Sequence, residues 1–195
     1  LAADRTVTEF ADRPPTAPLD LSLETPLGWI EVHTTTASQG YMAGRHYWLI
    51  LDFAGNDVYR SGGGAASFDR PVGVLLDFAG DDVYMSDTPQ IGLFGAAAYG
   101  CGFLYDRAGD DVYDSRLVTQ GAGYYGVGVL MDRGGNDRYT AWGHAQGAGA
   151  FGLGLLVDAA GRDTYVSMIG SQGFGATLGH GVMADLEGDD TYRLE

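Results

Sequence analysis

Short apolar runs, each ended by an aspartate and preceded by a glycine-rich stretch, recur along the chain. The clearest copies are TQGAGYYGVGVLMD, AQGAGAFGLGLLVD and SQGFGATLGHGVMAD. No segment carries a helical apolar period over ten residues, and glycine at this density costs a helix about 1 kcal/mol per position. Each unit therefore predicts three short strands: one around QGxG, one at the apolar run, and one at the Asp-x-Tyr that follows.

One eight-residue word marks every unit. Its six copies are DFAGNDVY (52–59), DFAGDDVY (77–84), DRAGDDVY (106–113), DRGGNDRY (132–139), DAAGRDTY (158–165) and DLEGDDTY (185–192). The first aspartates lie 25 to 29 residues apart. A period in the twenties is typical of a solenoid, whereas a propeller blade needs about 40 residues. The sequence predicts an all-β parallel β-solenoid (β-helix) of about six coils, with about 26 residues per coil.

The predicted domain boundaries follow from where the repeat stops. Residues 1–23 match no copy and contain RPPTAP, so we expect an irregular leader. Residues 24–195 form a single solenoid domain, in which 24–38 is a degenerate coil that caps the stack, because terminal repeats are usually atypical.

The apolar run before each first aspartate has two apolar faces. One parity includes Val74, Phe103 and Val129, and the other alternates glycine with Leu75, Leu104, Leu130 and Leu156. Strands buried on both sides have this composition. We expect the Gly/Leu parity to face outward and to be covered by the leader, by a second copy or by the remainder of a longer protein.

In-register stacking predicts columns of like residues about 4.8 Å apart. The first-position aspartates are Asp52, Asp77, Asp106, Asp132, Asp158 and Asp185, and the second-position aspartates are Asp57, Asp82, Asp111, Asp137, Asp163 and Asp190. The Asp-x-x-Gly words predict turns in which the first aspartate accepts backbone hydrogen bonds. Unit charges this close repel by a few kcal/mol, so positive charge must compensate the repulsion within both columns. The sequence leaves two sources of that charge open: bound Ca²⁺, or the side chains of Arg107, Arg133, Arg138 and Arg162.

The words GGNDRY, AGNDVY and AGDDVY resemble the Gly-x-Asp-x-apolar half of repeats-in-toxin (RTX) nonapeptides, the calcium-binding β-roll repeats of secreted bacterial proteins. The resemblance implies that the second-position aspartates ligate Ca²⁺ and that the tyrosine two residues later packs inside. It covers about six residues in every 26, and the period is three times too long for an RTX roll. Calcium also suits the residues themselves, because it takes six to eight oxygen ligands.

The charge balance limits the partners. There are 26 acidic residues against 11 basic ones, giving a formal net charge of −15. Such a chain repels nucleic acid and anionic membranes. No apolar run is long enough for a membrane helix, and the first residues do not form a signal peptide. The single cysteine, Cys101, excludes an internal disulfide.

The tyrosines predict a core ladder in preference to a sugar-binding strip, and the glutamines of the QGxG stretches predict amide ladders between coils. Candidates for a catalytic site are the residues that break the repeat: Asp87, Asp114, His144 and His180. Because recurring acids share equivalent surroundings, they do not provide two groups with different pKa values.

These observations favour a calcium-stabilised structural or adhesive module of a secreted or cell-surface bacterial protein. The alternatives are a carbohydrate-active β-helix enzyme, a lyase or hydrolase, and a glycan-binding module. An enzyme needs one non-repeated cluster of acids or histidines, whereas a structural module needs only columns, and the sequence favours columns.

Overall fold

The computed structural model describes residues 17–42, 44–60, 63–86 and 91–195. These residues form a parallel β-solenoid of about five turns, with about 26 residues per turn and no helix. The predicted class is confirmed, and the number of turns is slightly smaller than the six coils expected, because six words delimit five repeats. Nowhere in the described ranges is there a helix long and apolar enough to cross a bilayer.

The apolar runs form an eight-stranded sheet. Its strands are β1 (Asp20–Thr25), β2 (Gly28–His33), β4 (Tyr47–Asp52), β6 (Val72–Asp77), β9 (Gly100–Asp106), β13 (Gly126–Asp132), β16 (Leu153–Asp158) and β18 (His180–Asp185), in that order across the sheet.

The Asp-x-Tyr segments form a seven-stranded sheet. Its strands are β3 (Gly40–Tyr41), β5 (Val58–Tyr59), β7 (Val83–Met85), β10 (Val112–Asp114), β14 (Arg138–Thr140), β17 (Thr164–Ser167) and β19 (Thr191–Leu194), again in chain order. Two smaller pairs lie at the remaining side of the coils: β8 (Ile91–Leu93) with β11 (Leu117–Thr119), and β12 (Gly123–Tyr124) with β15 (Gly149–Ala150).

Equivalent residues stack in register, as the repeat predicts. Asp106 pairs with Asp132, and Asp132 with Asp158. On the facing sheet, Tyr113 pairs with Tyr139. The ring centroids of the tyrosine column lie 4.5 to 5.0 Å apart and nearly parallel, from Tyr41 to Tyr192. The column therefore begins one coil earlier than the six words indicate.

The core lies between the two large sheets. The apolar runs direct into it the parity that we expected to face outward. Leu75, Leu104, Leu130 and Leu156 are fully buried against the tyrosines, so the expectation that the Gly/Leu parity faces outward was wrong. The glycines of that parity point inward because the interior is narrow there. A Cβ on Gly128 would lie 2.1 Å from the carbonyl oxygen of Ala122.

An antiparallel hairpin of β1 and β2 covers the N-terminal end of the stack, and β2 pairs in parallel with β4. β2 lies within the expected capping coil at 24–38, and β1 begins at Asp20, within the segment that we expected to be an irregular leader. The Thr25 hydroxyl donates to the carbonyl of Gly28 across the hairpin turn, at 2.6 Å. Residues 1–16 of the predicted leader lie outside the described residues.

From the second word onward, the turn after the first aspartate leaves no room for a side chain at its glycine. A Cβ on Gly109 would lie 1.6 Å from the carbonyl oxygen of Gly80, one coil away. We expect Gly109→Ala to lower the free energy of unfolding by about 3 kcal/mol, because the backbones must separate. Gly40 is the control, since a Cβ there meets nothing within 4 Å. Urea unfolding of both variants checks this, and equal losses would contradict it.

Candidate metal centre

The first-position aspartates close the turns and receive the tyrosine hydroxyls. Oδ1 of Asp132 accepts the backbone N–H of Gly134 at 3.0 Å, and equivalent bonds form at Asp52, Asp77 and Asp106. Oδ2 of Asp132 accepts the hydroxyls of Tyr113 at 2.8 Å and Tyr139 at 3.2 Å. The predicted turn role is confirmed at these four aspartates, whereas Oδ1 of Asp158 and of Asp185 has no partner among the described residues. Tyrosine hydroxyls tie Asp106, Asp132 and Asp158 both to their own coil and to the preceding one.

The second-position aspartates join successive coils through the backbone. Oδ1 of Asp137 accepts the N–H of Asp111 at 2.7 Å, and Oδ1 of Asp163 accepts the N–H of Asp137 at 2.7 Å. The same bond forms at each step from Asp57 to Asp190. This acceptor role is a structural reason for aspartate at the second position, and the sequence did not suggest it.

The two columns meet in repeated triads. Each triad combines the second-position aspartate of one coil with both aspartates of the next, and one carboxylate oxygen from each residue lies within 4.8 Å of the others. Among the described residues the triads are Asp57/Asp77/Asp82, Asp82/Asp106/Asp111, Asp111/Asp132/Asp137, Asp137/Asp158/Asp163 and Asp163/Asp185/Asp190. Eleven of the twelve predicted ligands are thus brought together.

Asp52 is the exception, because a triad there would need a second-position aspartate in the preceding coil, and Gln39 stands at that place opposite Asp57. His33 pairs in register with Asp52 at the position where a preceding aspartate would stand. His33 also lies 2.7 Å from Asp20 through its Nδ1 atom and 3.4 Å from Glu31 through Nε2. The carboxylate column therefore ends at a histidine on the hairpin.

Each triad contains a buried oxygen without a hydrogen-bond donor. Oδ2 of Asp57, Asp82, Asp111, Asp137 and Asp163 has no partner among the described residues, although these side chains are at most 2% exposed. A buried carboxylate without compensation costs far more than a neutral polar group. The unpartnered atoms recur coil after coil, so the need for a counter-charge or a proton recurs with them.

Burial makes the ionised column unfavourable. Desolvation, followed by the charge of Asp77, raises the pKa of Asp82 to about 10. Desolvation, followed by the charge of Asp132, raises the pKa of Asp137 to about 10. Neutralisation of the columns by arginine side chains stays a prediction.

The donor set fits a hard cation. All the converging atoms are oxygens, which Ca²⁺ binds at about 2.3 to 2.6 Å, so two oxygens on opposite sides of one ion lie about 4.8 Å apart. In each triad the three oxygens lie within 4.8 Å of one another, so they are close enough to bind one ion together. The Asp137 and Asp163 carboxylates each belong to two triads, so each can bridge two neighbouring sites.

The three candidate catalytic residues that the structure describes do not form a cluster. Asp114 is exposed on β10, and His180 is exposed on β18 of the other large sheet, three repeats further along. His144 is half-buried between β14 and β15, with its ring 5.7 Å from that of Tyr124. Asp87 lies outside the described residues.

The buried tyrosine column cannot stack on a sugar. Tyr59, Tyr84, Tyr113, Tyr139 and Tyr165 are fully buried, which confirms their predicted place in the core. A glycan partner at another surface stays a prediction. The sequence analysis did not predict the hydrogen bonds from the tyrosine hydroxyls to the first-position aspartates. One indication was present, because tyrosine follows the first aspartate by seven residues in every word.

The glutamines differ from the predicted amide ladder. Nε2 of Gln120 donates to the carbonyls of Tyr113 at 3.1 Å and Thr140 at 2.9 Å, and Gln146 bridges two carbonyls in the same way. The side chains therefore join successive coils through the backbone.

Comparisons with known proteins do not indicate a function for this chain, so any assignment is based on the fold and the carboxylate columns. No protein-family model matches the chain, and neither a curated protein nor a solved structure gives a significant match.

The raised pKa values predict how stability depends on pH in the absence of metal. The unfolded aspartates titrate near 3.8, whereas the folded values range from about 6 at Asp77 to about 10 at Asp82. Between these limits the folded state binds more protons, so the free energy of unfolding falls as pH rises, by about 1.4 kcal/mol per pH unit for each proton. Urea unfolding in EDTA at pH 5, 7 and 9 checks this. Stability that rises across this range would contradict it.

Proposed function

We propose that this β-solenoid is a structural or adhesive module of a secreted or cell-surface bacterial protein, stabilised by Ca²⁺ between its coils. The observation that carries the proposal is the repeated unpartnered Oδ2 atom, buried beside two further carboxylates in each triad. A divalent cation there offsets the repulsion of both coils at once. The local resemblance of the Gly-x-Asp-x-Tyr loops to RTX repeats supports the same ion.

Calcium has a structural role in this proposal. The triads are interior, and their residues recur in equivalent places, so no single coil is set apart for chemistry. Calcium modules that work outside the cell have Kd values of about 10⁻⁴ to 10⁻³ M, matched to extracellular calcium. A secreted or surface-exposed solenoid would therefore be stabilised after export.

The first test counts the ions. Calorimetric titration of the metal-free chain with Ca²⁺ should give up to five bound ions, one for each triad. Asp137→Asn should remove two of them, because Asp137 belongs to two triads, and Asp132→Asn should remove one. Asp110→Asn is the matched control: this neighbouring aspartate is exposed and belongs to no triad. No binding by the parent chain, or equal losses in all three variants, would contradict the proposal.

The second test uses the sign of the stability change. In EDTA at pH 7, Asp137→Asn should raise the melting temperature, because asparagine is neutral in both states and keeps the Oδ1 acceptor, whereas Asp137, with its pKa raised to about 10, must take up a proton on folding. In saturating Ca²⁺ the same variant should melt below the parent. An ion held at 100 times its Kd contributes about 2.7 kcal/mol, or roughly 5 to 10 °C for a domain of this size. Differential scanning calorimetry checks both arms, and identical parent curves in Ca²⁺ and EDTA would refute calcium stabilisation.

A further inference from the structure

The outward side of the eight-stranded sheet carries two apolar rows, which we call the outer apolar face. The first row is Val72, Cys101, Val127 and Leu153, and the second row is Val74, Phe103, Val129 and Leu155. In the first row, Val72 is 48% exposed, Val127 37% and Leu153 39%. The second row is half-buried, as expected where side chains stand about 4.8 Å from their neighbours.

A ladder of exposed aromatic rings borders the first row. Tyr99, Tyr125 and Phe151 each precede a first-row residue by two positions. Their ring centroids lie 5.3 and 4.8 Å apart, and the rings are about half exposed. The stacked rings cover one another's faces and present their edges, which suits packing against an apolar surface better than stacking on a sugar.

The backbone at this ladder is strained. Tyr125 and Phe151 have φ values of 51° and 49°, in the left-handed region that costs residues with a Cβ about 1 kcal/mol or more. The conformation turns the chain from the short β12/β15 side into the large sheet while the ring remains at the surface.

The face is uncharged, although the chain as a whole is strongly acidic. No residue of the two rows or of the ladder is charged, whereas the chain carries a formal net charge of −15. Two copies can therefore approach through this face without bringing face carboxylates together. A contact through most other surfaces would oppose like charges.

The size of the face fits a weak dimer. Four rungs at about 4.8 Å give a height of roughly 19 Å, and five residues at about 3.3 Å from the ladder to the second row give a width of roughly 16 Å. The flat footprint is then about 300 Å² per copy, before side-chain relief is added. Two such faces bury roughly 600 Å², which is the size of a weak, reversible contact and less than the roughly 1,000 Å² of a stable interface.

We propose that the outer apolar face is the interface between two copies of this chain, packed sheet on sheet about 10 Å apart as in a β-sandwich. The rows of one copy fill the grooves between the rows of the other. This interface is separate from the carboxylate columns, which face the interior, so the proposal does not depend on bound calcium.

A matched pair of variants tests the interface. Val127→Asp places a charge on the outer apolar face, and Val112→Asp places the same charge on the other large sheet, where the valine is 36% exposed against 37% for Val127. Sedimentation equilibrium of the full chain should give a dimer for the parent and for Val112→Asp, with dimer dissociation at least tenfold stronger in Val127→Asp. A monomeric parent, or a Val127→Asp variant that dimerises as well as Val112→Asp, would overturn the proposal.

Cys101 provides a second readout, because it is the single cysteine and lies exposed within the first row. Its reaction with a water-soluble aromatic disulfide should be at least tenfold slower in concentrated parent protein than in Val127→Asp at the same concentration. Equal rates would count against a second copy on this face. A parent that stays monomeric and floats with phosphatidylcholine vesicles would replace the second copy with a lipid surface.

Discussion

Parallel coils about 4.8 Å apart place each side chain over its counterpart in the next coil, and the rest of the structure depends on this repetition. For Leu104, Leu130 and Leu156 the result is a continuous buried column. For the tyrosines it is a stack of nearly parallel rings. For the aspartates, the same geometry aligns negative charges in the interior, where they repel more strongly than in water.

Hydrogen bonds stabilise some of the buried carboxylate oxygens of the aligned aspartates. Tyrosine hydroxyls donate to one oxygen of the first-position aspartates. Backbone N–H groups donate to one oxygen of the second-position aspartates and of the first four first-position aspartates. The remaining Oδ2 atom of the second-position aspartates receives no donor from the described residues. Protons can neutralise these groups at the cost of stability at high pH, and cations can neutralise them without that cost. The proposed calcium follows from this unequal satisfaction of the two carboxylate oxygens.

The sequence predicted the features that depend on local words and on their spacing. The period identified the solenoid, the Asp-x-x-Gly word identified the turn, and the spacing placed the two aspartate columns side by side. It did not predict the orientation of the apolar runs, because both parities are apolar. Glycine was assigned to the surface, whereas Gly128 faces inward where the Ala122 carbonyl leaves no space.

Other features depend on contacts between distant segments. The backbone acceptor role of Asp137 requires the exact register of two coils, and the bridging by Gln120 requires the carbonyls of two strands. The hairpin cap was missed because β1 is not part of any repeat. His33 replaces aspartate at the end of the column only through the pairing of β2 with β4.

The central claim is that cations lie between the aspartates of successive coils, and anomalous X-ray diffraction tests it most directly. Crystals grown with Ca²⁺, measured at a long wavelength where calcium scatters anomalously, should show a row of difference peaks. The account predicts peaks within the triads, about 4.8 Å apart along the stack. Carboxyl oxygens paired at about 2.5 to 2.7 Å, as expected for a shared proton, with no anomalous peak in any triad, would contradict it.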